Sequence, residues 1–417
     1  MPATKFLFWN IGRKPLAQLV CELAEIHGID VIMLAECETD PGVVLQALNR
    51  TPETGFHFPA SLSQRIVVFT RFSREFLQPA FESERISIRR LALPARAPVL
   101  LATAHLPSKL HWSEESQKFE CVELARRIEI EEQTAGHRRT ILVGDFNMNP
   151  FETGIVSAVG LHSVMSRRVA SRETRTVQGR EYRFFYNPMW SHFGDARNDT
   201  AGSYYYDAGE HVNYYWNMFD QVLLRPELAE HFDPTRLSIV RAVGAHSLVR
   251  PDGRPDLANG SDHLPILFEV EFSRELLEMT AQTDFGGEIV PAVERTPLAI
   301  LREQAALLGT KTKNLVEATV DTSVEPGQPV VESPGGRLVL GPPRFFHRFY
   351  LVAPSLSNYR YQLFRIEHGI AIYPVDTSEP PTPLLKTEQE LVDWLRRKLS
   401  SVETKRIVGN LLAQATS

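Results

Sequence analysis

The sequence predicts an α/β protein: a layered sandwich over residues 1–272, a linker at 273–295, and a smaller α+β domain over 296–417. Three observations predict it. Short β-rich runs alternate with amphipathic helical stretches through the first half, and strands return at the end of the same region, a pattern that closes sheets against helices. A chain of 417 residues exceeds what one hydrophobic core usually supports. Beyond Phe272 the composition turns loose and polar before regular patterns resume.

Taken in order, Phe6 to Asn10 reads as a strand, Leu16 to His27 as a helix, and Asp30 to Glu36 as a second strand, because Val-Ile-Met-Leu is a buried apolar run behind a turn signal. Further strands are expected at Arg65 to Thr70, Val99 to Ala104 and Thr140 to Gly144. Ser113 to Gln133 is expected to be a sheet-flanking helix, since Phe119, Val122, Leu124, Ala125 and Ile128 recur on one face with Glu and Arg on the other. After Pro150 the pattern loosens into a polar, aromatic-rich region up to Trp216; a stretch so long without periodicity is usually functional. Strands return at Met218 to Leu224, Leu237 to Val243 and Ile266 to Phe272. In the last third, Thr296 is an N-cap candidate with Pro297 at the first position of a helix reaching Leu308. Thr322 to Arg337 reads as a surface loop, Phe345 to Ala353 and Tyr359 to His368 as two strands, and Glu388 to Leu399 and Glu403 to Ala415 as closing helices.

The formal net charge of −6 argues against coating nucleic acid or anionic membrane through the overall field, while leaving room for a local basic patch. Cys21, Cys37 and Cys121 lack zinc-ligand spacing and read as buried thiols in a reducing compartment. The apolar start Phe-Leu-Phe-Trp-Asn-Ile is too short for a signal peptide and no later segment approaches membrane-spanning length. The expectation is a cytoplasmic protein with no membrane insertion.

Chemistry concentrates in short motifs at or near strand ends: WNIG with Asn10, LAE with Glu36, TAHLPS with His105, GDFNMNP with Asp145 and Asn147, FDQV with Asp220, and SDHLPI with Asp262 and His263. Hydrolysis of a phosphodiester needs a cation to withdraw charge, an activated water, and a donor to the charge developing in the transition state. Hard oxygen donors such as Glu36, Asp262 and the Asn10 amide suit Mg2+ or Mn2+, and the absence of paired Cys or closely spaced His disfavours zinc. Asp145, in a turn after an apolar strand, is placed to activate water, and Asn147 to donate an N–H. Neighbours in an extended segment point to different sides, so Asp262 and His263 divide between metal and substrate. Asp220, in the apolar run MFDQVLL, needs a partner, and His263 is the natural one.

This ordered set resembles the endonuclease/exonuclease/phosphatase superfamily, with the deoxyribonuclease I-like fold, over roughly residues 4–272. The resemblance implies a four-layer α/β sandwich of two mixed sheets with helices outside. It makes Glu36 the principal metal ligand with Asn10 and Asp262 beside it, Asp145 the water activator, Asn147 the transition-state donor, and His263 with Asp220 a phosphate-polarising pair. His105 matches a position that is His in deoxyribonuclease-like and sphingomyelinase-like members and Tyr in abasic-site endonucleases. Ser108 stands where the latter carry Asn, so abasic-site repair is demoted.

Between Arg167 and Arg183 six arginines face only Glu173 and Glu181, in an insertion that also holds many aromatic residues. Arg172, Arg175 and Ser108 are therefore the substrate-binding candidates, and a nuclease acting on DNA or RNA is the leading expectation. The same site acting on a lipid headgroup or small phosphoester is the alternative, and a non-catalytic binding module a third. The C-terminal domain carries no metal, nucleotide or nucleophile signature, which leaves a protein partner open to it.

Overall fold

The computed structural model describes residues 3–50, 55–59, 61–110, 112–195, 200–209, 211–272, 295–325, 329–331, 338–340, 342–377 and 384–416. The linker expected at 273–295 thus lies, apart from Arg295, outside the described residues. Contacts divide the chain into two units, Met1–Leu48 with Phe56–Leu277, and Asn49–Gly55 with Glu278–Ser417.

The first unit opens with β1 (Thr4–Asn10), α1 (Ala17–His27), β2 (Val31–Ala35), α2 (Pro41–Leu48) and β3 (Ile66–Thr70). Every residue of β2 and β3 is buried, as expected of strands covered on both faces. Next come β4 (Leu77–Glu82), β5 (Ile86–Leu91), β6 (Val99–His105), α3 (Glu114–Ala135) and β7 (Thr140–Asp145). The loose region then resolves into α4 (Thr153–Val156), β8 (Ser163–Val164), α5 (Arg167–Ala170), a hairpin of β9 (Thr174–Val177) and β10 (Arg180–Arg183), β11 (Phe185–Tyr186), and a ribbon of β12 (Tyr204–Tyr205) with β13 (Trp216–Asn217). Last are β14 (Asp220–Leu224), α6 (Pro226–Ala229), β15 (Ser238–Ile239), β16 (Ala242–Val243), β17 (His246–Ser247) and β18 (Ile266–Val270).

Two sheets form, ordered β15-β18-β1-β2-β3 and β4-β5-β6-β7-β14-β11-β8. They meet through β1 against β7 and β14 and β3 against β6, with α3 covering the second sheet, which gives the four-layer α/β sandwich. The direction of the strands matters most for function. β1 runs parallel to β2 and β6 parallel to β7, while β18 is antiparallel to β1 and β14 antiparallel to β7. The C-terminal ends of β1, β2, β6 and β7 therefore lie at the same end of the sandwich as the start of β14 and the turn leading into β18.

Three differences from the sequence reading have clear causes. On α3, Phe119 is exposed, and the buried stripe is Gln117, Cys121, Leu124, Ile128 together with Glu131 and Glu132. Glu132 tolerates burial because Arg225 Nε and Nη2 donate to its two oxygens at 2.7 and 3.2 Å and Thr140 Oγ1 donates at 2.7 Å. Leu237 to Val243 is two short strands, since β15 pairs with β18 whereas β16 pairs with β17. The strands β4 and β5 and the helix α2 were not anticipated.

The second unit contains α7 (Pro297–Lys311), β19 (Glu317–Glu325), β20 (Pro329–Val331), β21 (Leu338–Leu340), β22 (Arg344–Ala353), β23 (Tyr359–His368), β24 (Val375–Asp376), β25 (Leu384–Leu385), α8 (Glu388–Ser400) and α9 (Val402–Ala415). Thr296 caps α7 as expected, its hydroxyl accepting from Ala299 N–H at 3.2 Å. The loop expected at Thr322 to Arg337 is corrected over part of its length: Thr322–Glu325 continue β19, which pairs with β22 over nine residues, and β20 pairs with β21, while 326–328 and 332–337 lie outside the described residues. Alternating Val with Thr, Ser and Glu reads as loop composition, and only the partner strand makes it a ladder.

Inside this unit His347 and His368 face each other at 3.0 Å between Nε2 atoms, with Thr322 Oγ1 2.9 Å from His347 Nδ1 and the Gly369 carbonyl 2.7 Å from His368 Nδ1. Burial, His368 and Arg302 push the pKa of His347 down to about 4. In the unfolded chain it returns to about 6.5, so below that value the unfolded state takes up the proton first. With His347 neutral the unit keeps its full stability above about pH 6.5, and on the order of 2 kcal/mol of it is lost as pH falls towards 4. The protection factors of the β22 and β23 amides in the full chain, exchange rates divided by the intrinsic rate at each pH, should fall from pH 7 to 4.5, and His347→Gln should flatten the dependence. An unchanged slope in that variant contradicts the assignment.

Candidate active site

Six strand-end segments bring the motif residues to one end of the sandwich. Asn10 closes β1, Glu36 follows β2, His105 closes β6, Asp145 closes β7, and Asp220 opens β14 in register with Asp145. Asp262 and His263 precede β18. All except Glu36 and Asp262 are buried, and those two are partly open to solvent.

The local sequence explains the placement. In GDFN, Gly144 is obligatory because a Cβ there would stand 1.9 Å from the Ala104 carbonyl oxygen of neighbouring β6. Gly12 has φ +55°, and a Cβ would meet Asp262 Oδ1 at 3.0 Å, so the WNIG glycine leaves room for that carboxylate. Glu36 and Asn147 adopt left-handed backbone, with φ of +49° and +51°. Such conformations carry strain of roughly 1 kcal/mol or more in a non-glycine residue, and they turn both side chains out of their strand ends.

Asp145 is gripped through both oxygens: Asn10 Nδ2 donates to Oδ2 and the Asn147 backbone N–H to Oδ1, each at 2.9 Å. Asn10 Oδ1 accepts from Gly12 N–H at 3.0 Å, so in this arrangement the Asn10 amide orients Asp145 and keeps one oxygen lone pair open. Asn147 Nδ2 donates to the Leu106 carbonyl at 2.9 Å, leaving its second N–H for another acceptor. His105 Nε2 stands 3.4 Å from Glu36 Oε1 and 3.7 Å from Asp145 Oδ2. Burial outweighs these two carboxylates and lowers the His105 pKa, so it contributes a neutral imidazole to the site at pH 7. Arg13 reaches Glu36 at 3.4 Å.

His263 and Asp220 form a hydrogen bond of 2.8 Å through Nδ1, and Nε2 faces Asp145 Oδ2 at 3.8 Å. Burial disfavours charge on the imidazole, yet Asp220 and Asp145 overcome it and lift its pKa to about 10. An imidazolium at this position is thus the resting state, a fixed positive donor amid carboxylates.

Asp145, Asp220 and His263 each place one potential ligand atom within 4.8 Å of the others. A protonated His263 offers no lone pair, and its Nδ1 is spent on Asp220, so this trio is better described as an ion-paired network than as a cation cage. Glu36 and Asp262 are the more open carboxylates of the site and supply the hard oxygen donors a divalent ion takes, but among the described residues only Asp145, Asp220 and His263 bring ligand atoms within 4.8 Å of one another.

Two of the expected substrate contacts lie elsewhere. Arg172 and Arg175 are exposed on the β9–β10 hairpin and its approach. That region is tied to the start of β7, with Glu173 at 4.0 Å from Arg138 and Arg183 at 3.8 Å from Glu129 of α3. Asp145 is at the other end of β7, roughly 17 Å of strand away. The structure does not bring these arginines to the site. Ser108 sits in the loop after β6, half-buried, its hydroxyl accepting from Leu110 N–H at 3.3 Å.

Other residues enter the site that the sequence reading did not single out. Trp9 Nε1 donates to the His263 carbonyl at 2.9 Å, and Ser261 Oγ donates to the Asn10 carbonyl at 2.7 Å. Gln117 of α3 donates to the carbonyls of Pro107 and Asn147 at 2.7 and 3.3 Å, tying the loops after β6 and β7 together. Gln117 carried a signal, a polar residue on the apolar stripe of α3; Trp9 and Ser261 carried only adjacency to motif residues. The aromatic cluster divides: Phe184, Phe185 and Tyr186 are core, while Tyr206, Tyr214 and Tyr215 are exposed on the segment joining β12 to β13. Among the described residues no helix is long and apolar enough to cross a membrane.

No family model matches the chain, and no curated protein matches it. Among solved structures it is similar to an endonuclease/exonuclease/phosphatase family protein from Bacteroides thetaiotaomicron, at 12% identity over 64% of this chain and 95% of that one, with a TM-score of 0.41. It is also similar to an AP endonuclease from Archaeoglobus fulgidus, at 15% identity over 64% and 99% of the two chains and a TM-score of 0.39. A 3′ phosphatase from Neisseria bound to a product DNA hairpin gives 14% identity over 65% and 100%, with a TM-score of 0.39.

Proposed function

We propose that the first unit is a divalent-metal-dependent phosphodiesterase, acting on nucleic acid. The observation that carries this reading is the convergence of Glu36, Asp145 and Asp262 on one sandwich end beside His263, whose Nδ1 is hydrogen-bonded to Asp220. A cation held by Glu36 and Asp262, Mg2+ or Mn2+, would neutralise phosphoryl charge and acidify a bound water. The chain's own groups divide the remaining work. Asp145, aimed by Asn10 and Asn147, takes the proton of the attacking water. His263 Nε2–H and the free N–H of Asn147 donate to the oxygens on which charge develops. His105 fills the space between Glu36 and Asp145 with a neutral ring.

The basic insertion no longer supports nucleic acid as the substrate, because it lies at the far end of β7. The exposed Tyr206, Tyr214 and Tyr215, on the segment that follows Tyr204 at His263, support it instead, as base-stacking surface. The second reading keeps the site and changes the substrate to a lipid headgroup.

Purified protein with Mg2+ should cut single- or double-stranded DNA or RNA, and EDTA should stop it. Glu36→Gln should raise the Mg2+ concentration for half activity by at least about tenfold. Cleavage that persists in EDTA removes the metal; cleavage of phospholipid headgroups without any of nucleic acid moves the substrate to the second reading.

A further inference from the structure

Among the described residues the His263 ring makes one hydrogen bond, between Nδ1 and Asp220, while Nε2 faces Asp145 Oδ2 at 3.8 Å, beyond hydrogen-bond distance. A donor that must meet a phosphoryl oxygen with Nε2 needs a second restraint, because a misplacement of about 1 Å at a reacting group costs on the order of 10²-fold in rate. The structure supplies it on the face of the ring. The Tyr204 ring lies 4.6 Å from the imidazole, centre to centre, at 40° between planes. Phe219 stacks on Tyr204 at 5.2 Å and 23°, and Lys109 Nζ stands 5.7 Å from the centre of the Phe219 ring.

The backbone makes this stack specific. Tyr204 bridges His263 across antiparallel segments, and Leu264 N–H donates to the Ser203 carbonyl at 2.8 Å. Ser203 Oγ accepts from the Asp220 N–H at 3.1 Å, and Tyr204 pairs with Asn217, three residues before Asp220. A two-residue segment, Ser203–Tyr204, therefore touches both members of the pair, which come from strands in different sheets.

We propose that Tyr204 is a positioning residue whose ring clamps the face of His263 and holds its Nε2 aimed into the site. The proposal rests on the phosphodiesterase reading for its effect on rate, but not for its geometry. The hydroxyl is not required for this.

The test uses the full chain with Mg2+ and bis(4-nitrophenyl) phosphate, comparing Tyr204→Leu with Tyr204→Phe; Tyr204→Met replaces the leucine variant if that fails to fold. The aliphatic variant should lose kcat 10- to 100-fold with KM changed less than about threefold, and the phenylalanine variant should restore kcat to within about threefold of the parent. A second readout needs no turnover: the downfield proton resonance of His263 Nδ1–H, identified by its absence in His263→Gln, should be sharp in the parent and in Tyr204→Phe and broadened or lost in the aliphatic variant. Full kcat and an unchanged resonance in the aliphatic variant overturn the clamp. A phenylalanine variant as impaired as the leucine one also overturns it, by assigning the effect to the hydroxyl. If the parent shows no turnover while the resonance responds as expected, the phosphodiesterase reading fails and the clamp stands.

Discussion

Asp145→Asn lowers kcat on a phosphodiester about 10³-fold while leaving the fold in place. The expected size is that of a general base removed from the transition state, 10² to 10⁴. The substitution is isosteric, and the amide that replaces the carboxylate keeps one oxygen to accept from either Asn10 or the Asn147 N–H. Its nitrogen then confronts a donor, which costs about 1–2 kcal/mol of stability, a small fall in melting temperature next to the catalytic loss. KM and the Mg2+ requirement should change little, because Glu36 and Asp262 remain. Turnover within tenfold of the parent, in folded protein, would remove Asp145 from the water-activating role.

The second large effect is expected at Asp220, which never touches substrate. Asp220 is wholly buried, and its carboxylate gives His263 both orientation and charge through the 2.8 Å bond. In Asp220→Asn the amide can satisfy Nδ1 but cannot sustain an imidazolium, so His263 Nε2 becomes a neutral, weaker donor. A fall in kcat of about 10²- to 10³-fold is expected, with KM nearly constant, since the interaction lost is one that strengthens as charge develops. The kinetics of Asp220→Asn and Asp220→Asn/His263→Gln together decide the point: the double variant should be little worse than the single. Additive losses would mean that the two residues act separately.

Much of the first sheet was legible because strands buried on both faces are near-continuous apolar runs, as Val31–Ala35 and Ile66–Thr70 are. The β4–β5 hairpin was not, because its exposed positions dilute the pattern: Gln78, Pro79 and Ala80 face solvent, and Arg89 is buried in an ion pair with Glu82. Phe119 misled for a related reason. Periodicity fixes the spacing of a helical stripe but not its phase, and on α3 the phase follows Cys121, Leu124 and Ile128 with a buried Glu132 whose partner is over ninety residues away. The Arg-rich insertion misled through distance: residues 167–183 are close in sequence to Asp145, yet their hairpin is anchored at the opposite end of β7.

What the sequence determined by itself was the identity and order of the polar residues at the strand ends, because turn glycines, apolar runs and unpaired buried carboxylates leave local marks in a single stretch of chain. Gly144 before Asp145 and Asp220 inside an apolar run are of this kind. What only the tertiary structure decided was their division of labour. The pairing of His263 with Asp220 was legible, but that Asn10 points its amide at Asp145 and that Tyr204 closes over the His263 ring was not. Each of these contacts joins segments about 40 to 135 residues apart. They depend on strand direction, parallel β1 with β2 and β6 with β7, antiparallel β14 and β18, which no local pattern encodes and which alone sets these groups within a few ångströms of one another.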